Sequence, residues 1–97
     1  MIKPMKSENR ERLLRAIRNG MVWLNELVDQ KVPATEALAK REGRSERAIR
    51  MTLSLAFLAP DIITAAIDGR LPRGLGLSRL TELPASWAEQ RRIVGLN

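Results

Sequence analysis

Arg47, Arg50, Met51 and Ser54 recur at the spacing of one helix face. Wound at 100° per residue, they fall within a sector of about 100°. Ile49, Thr52, Leu53 and Ala56 fill a second sector on the opposite side, the apolar stripe that a helix buries. A guanidinium on the outward sector can donate two parallel hydrogen bonds to a guanine edge, and a methionine there can pack on a thymine methyl. Thr35 and Ser45 stand where two helices begin, so their hydroxyls and the N–H groups behind them can meet phosphates. Arg44 lies between these helices, and Arg15 and Arg18 lie on an earlier helical stretch as further cations for a phosphate backbone. Thr35, Arg44, Ser45, Arg47, Arg50, Met51, Ser54, Arg15 and Arg18 thus form the expected contact set for double-stranded DNA. The competing reading is a helical bundle whose third helix carries a solvated charged face.

The residues that are missing narrow the chemistry further. The 97 residues contain no His, Cys or Tyr. The commonest general bases, the thiol nucleophile and the imidazole and thiolate metal ligands are therefore absent. No catalytic activity, cofactor or metal is expected. Asp61 and Asp68 share a helix face but read as solvated caps and dipole partners. Gly69, Gly74 and Gly76 follow no strand and read as chain-turning residues. With 17 Lys and Arg against 11 Asp and Glu, the net charge is +6, which suits a phosphate partner. Lys3, Lys6, Arg10, Arg12, Arg15 and Arg18 outnumber Glu8 and Glu11 near the N-terminus; they could follow a DNA backbone, meet an acidic partner or remain a solvated face. The opening residues lack the apolar core of a signal peptide. The longest apolar stretch, around "LSLAFLAP", is too short to span a bilayer. A cytoplasmic protein without a membrane association is the expectation.

The elements that must position these side chains can be read from periodicity and punctuation. Aromatic residues are few (two Trp, one Phe) and β-branched runs are short, which argues against a sheet. The expected fold is all-α, a small domain of four to six helices containing a helix-turn-helix over about 35–58. Residues 1–6 form a flexible basic leader, and 7–97 form one helical domain. A long helix, capped by Ser7, runs from about Ser7 to Asp29, with Gly20 a place for a bend or break. Pro33 stops continuation, Thr35 caps a short helix over Glu36 to Glu42, and Gly43 closes it in the left-handed region. Ser45 caps a third helix from Glu46 to about Leu58. Pro60 opens a fourth, which Gly69 ends. Ser78 starts a short turn that Pro84 closes, and Ser86 caps a last helix from Trp87 to about Val94, stopped by Gly95. Trp23 and Trp87 are expected in the core.

The runs "LLRAI", "EALAKREGRSERAIR", "LAFLAPDII", "AAIDGRLPRGL" and "LPASWAEQRRIVGL" carry a likeness to known sequences. From about Leu13 to Leu96 the chain resembles the C-terminal region of large serine recombinases from bacterial mobile elements. Residues 37–69 also resemble, more weakly, the helix-turn-helix of ParB-type plasmid partition proteins. The resemblance implies a DNA-binding tail without the recombinase catalytic domain. The chain departs from that pattern at Arg44, where the turn usually carries an apolar residue, and at Met51 and Thr52. Two functions are therefore expected to compete. One is a DNA-binding regulator of transcription or site-specific recombination on a mobile element, working as a homodimer on paired half-sites. The other is a protein-interaction module that restrains a recombinase or a transcription activator.

Overall fold

The computed structural model describes residues 7–72 and 74–95, with side chains from residue 9 onward. The basic leader, including Lys3 and Lys6, lies outside the described residues, as does the Ser7 side chain expected to cap the first helix. The order is α1 (Ser7–Val28), α2 (Thr35–Glu42), α3 (Glu46–Ser54), a 3-10 turn (Leu55–Phe57), α4 (Pro60–Ile67), α5 (Leu77–Thr81) and α6 (Trp87–Val94). No strand occurs among the described residues, so the all-α expectation holds. Among them, no single helix is long and apolar enough to cross a membrane.

α1 is the spine. At 22 residues it is about 33 Å long. Leu13, Ile17, Gly20 and Trp23 make its buried stripe. α1 runs through Gly20 without the break that residue allowed. The missing side chain instead lets α3 cross close by: a Cβ at Gly20 would lie 2.4 Å from the Thr52 carbonyl oxygen. The helix ends before Pro33 is reached. Gln30 takes a left-handed conformation (φ 59°), and the Lys31 N–H reaches back to the Glu26 carbonyl at 2.9 Å.

Two apolar clusters sit along this spine. Trp23, Val32, Leu38 and Ile49 join α1, α2 and α3. Leu13 and Ile17 join the larger cluster, with Leu55, Ile62, Leu80 and Val94 from the following elements. The third helix was expected to continue to about Leu58, but α-helical bonding stops at Ser54. The chain then tightens into the 3-10 turn and bends by 101° into α4. Pro60 opens α4 at its first turn, where a missing N–H costs nothing. Arg10 donates to the Ile67 carbonyl at the other end of α4, placing a cation at a helix C-terminus.

Gln90 of α6 locks the bend. It is 3% exposed. Its Oε1 accepts from the Ala59 N–H at 2.8 Å, and its Nε2 donates to the carbonyls of Pro84 at 2.8 Å and Phe57 at 3.4 Å. Gln90→Leu keeps the bulk but strands those backbone groups. It is expected to lower stability by about 1–3 kcal/mol, read from chemical denaturation. Trp87, expected in the core, is instead 48% exposed. Its ring lies on the surface because Nε1 is directed at the Phe57 carbonyl, 3.0 Å away, at the edge of the same bend.

Candidate nucleic-acid interface

α2 and α3 are joined by Gly43, Arg44 and Ser45. Gly43 adopts φ 64°, the left-handed region in which a residue without Cβ is least strained. The Gly43 N–H then reaches the Lys40 carbonyl at 3.4 Å and the Arg44 N–H reaches the Ala39 carbonyl at 3.0 Å. This pairing satisfies the last turn of α2. Ser45 starts α3 as expected, its Oγ accepting from the Ala48 N–H at 3.1 Å. Ser45 itself is exposed.

Thr35 is not the expected cap. Ala34 occupies that position without a side-chain bond, and Thr35 is the first residue of α2. Its hydroxyl donates across the turn to the Glu46 carboxylate at 3.4 Å. The helix begins one residue early, so Thr35 lies inside it and past the position from which a side-chain oxygen accepts from the first free N–H groups. The tip of the unit is thereby tied together: Thr35 and Arg50 approach the two oxygens of Glu46, the latter at 3.8 Å from Nη1. Sequence reasoning treated Glu46 only as a helix start. The i,i+4 spacing of Glu46 and Arg50 was the signal available for it.

Burial fixes how α3 is rolled. Ile49 is fully buried and Thr52 lies against α1, so Arg47 and Arg50 face outward and are exposed. Arg47 makes no ion pair among the described residues. The Arg50–Glu46 pair is long and solvated on both sides, so it yields readily to a stronger anion. Met51 and Ser54 share the outward sector but are half-buried. The Ser54 O–H is spent on the Met51 carbonyl at 2.6 Å, which leaves only its acceptor capacity. The accessible chemistry is thus concentrated in the first turns of α3.

Arg44, in the turn between α2 and α3, lies over an aromatic ring. Its guanidinium carbon lies 5.8 Å from the centroid of the Trp23 ring. At that distance the cation is attracted by the face of the ring. Lys40, at the end of α2, is also exposed beside this turn. Arg41 points the other way. It donates to both carboxylate oxygens of Glu26 at 2.6 and 2.9 Å and to Glu42 at 2.9 Å. These bonds fasten α2 to α1, and the Arg41 guanidinium holds the Glu26 carboxyl below the usual carboxylate range.

Arg15 and Arg18 do not join this surface. Gly20 marks the side of α1 that α3 crosses, and at 100° per residue Arg18 points roughly 160° away from it and Arg15 roughly 140° away. Arg18 instead borders a groove between α1 and α4. The expected contact set therefore divides into two faces. Arg44, Ser45, Arg47 and Arg50 occupy one, with Met51 and Ser54 at its edge and Thr35 beneath it. Arg15 and Arg18 occupy the other. No protein-family model, curated protein or solved structure matches this chain.

Proposed function

We propose that the chain is a non-catalytic DNA-binding protein in which α2 and α3 act as a helix-turn-helix. α3 is the recognition helix, and Arg47 and Arg50 face the bases. The observation that supports this most is the pair of exposed guanidinium groups on the first turns of a helix whose opposite face is locked by Ile49. A helix that enters the major groove presents its base-reading side chains from that same end. Ser45, Arg44 and Lys40 surround the helix start and serve the phosphates. The likeness to recombinase tails favours a role in transcription or site-specific recombination on a mobile element.

The test is a pair of titrations, on a selected site and on random duplex. With about three phosphates neutralised per chain, log affinity falls against log salt with a slope near −3. Arg50→Ala costs about 1–3 kcal/mol on the selected site and much less on random duplex. Arg15→Ala, on the opposite face, leaves the salt slope on both duplexes unchanged. A salt-independent interaction, or equal losses on both duplexes from Arg50→Ala, overturns base reading by α3. No binding at low salt leaves the interaction module, directed at a recombinase or a transcription activator, as the better reading.

A further inference from the structure

The groove between α1 and α4 has a volume of about 430 Å³ and an almost wholly apolar lining. Its floor and walls are Leu14, Ile17, Met21 and Val22 of α1 and Ile63 and Ile67 of α4. Met21 is 38% exposed, Val22 47% and Ile67 50%. Val28, farther along α1, is 70% exposed. Water thus covers a continuous apolar strip on the molecule's longest helix, on the side turned away from α3. A strip of this kind on a small protein marks an interaction surface.

The charges beside the strip select its occupant. The exposed residues Glu11, Arg15, Arg18, Val22, Asn25 and Asp29 follow one another along this side of α1 and its end. Between Arg15 and Asp29 the two cations precede Val22, the amide and the carboxylate follow it, and Val22 stands midway; Glu11 lies before this span. The span is therefore complementary to itself when reversed, with Glu11 beyond the end of the second copy's helix. We propose that the groove receives α1 of a second copy of this chain, antiparallel, with the two-fold axis beside Val22. Arg15 then faces Asp29 of the second copy, Arg18 faces its Asn25, and Met21 and Val22 of each copy fill the other's groove. The arrangement also sets opposite helix dipoles side by side. A parallel pairing would place Arg15 and Arg18 against their own equivalents. An acidic partner helix would meet Asp29 on the same stripe. A two-fold pair of this kind is isologous and closed, so it stops at two copies.

This inference rests on the α1 face alone, so its test uses the full chain without DNA and fails or succeeds apart from the DNA reading. Sedimentation velocity over a concentration series is expected to show a monomer–dimer equilibrium. Val22→Asp, at an exposed position, abolishes the dimer with the helical circular dichroism unchanged and a melting curve that matches the original chain at concentrations where both are monomers. Arg15→Asp and Asp29→Arg each weaken association about tenfold, since each sets like charges face to face at both symmetric contacts. The doubly substituted chain, with the pair exchanged, recovers association to within about threefold of the original. A monomer at every concentration overturns the proposal. So does a dimer that Val22→Asp leaves intact, or a double exchange that restores nothing.

Discussion

Ile49→Ala is expected to lower stability by about 2–5 kcal/mol, the range for truncating a large aliphatic side chain in a packed interior. Ile49 is fully buried and is the one buried residue of α3 among those described. It meets Trp23, Val32 and Leu38, so its loss opens a void where three segments converge. A protein of this size has a total stability of about 5–15 kcal/mol, so the change removes a large share of it. Thermal melting followed by circular dichroism should fall by about 10 °C or more. Arg50→Ala, one residue along but exposed, serves as the control and should leave the melt almost unmoved. A loss below about 1 kcal/mol at Ile49 would mean that the cluster closes around the gap and that the roll of α3 is set elsewhere.

Gly20→Ala provides a test of sign. Helix propensity alone predicts a gain of about 1 kcal/mol, because alanine is the better helix former. The tertiary contact predicts a loss. The added Cβ would lie 2.4 Å from the Thr52 carbonyl oxygen, and that atom is backbone and cannot swing aside. To accommodate it, α3 must move away from α1 and take Ile49 and Leu55 with it, so both apolar clusters loosen. The expected outcome is a net loss of about 1–3 kcal/mol, measured by denaturant unfolding. Gly20→Leu should be worse. A stabilised Gly20→Ala variant would show that the two helices do not approach at this point.

Several features of the chain were legible from its sequence because the interaction that creates them is local. Ser45 and Ser86 begin helices through bonds to N–H groups three residues on. Gly43, Gly69 and Gly95 end helices because each takes a positive φ there, and Pro60 opens α4 because a first-turn residue has no use for its N–H. The outward aim of Arg47 and Arg50 followed from Ile49 by helical geometry alone. What depends on a partner distant in the chain was decided by the tertiary structure. Gly20 reads as a weak point in one helix until a second helix lies across it. Thr35 reads as a cap until α2 is seen to start one residue earlier, with the Thr35 hydroxyl turned to Glu46 on the next helix. Trp87 reads as core until the Phe57 carbonyl draws its Nε1 to the surface. Arg15 and Arg18 read as companions of Arg47 and Arg50 because charge can be counted along a chain. Only the packing of α3 on one side of α1 separates them, since a helix long enough to bridge two apolar clusters must present its remaining side chains to a different face.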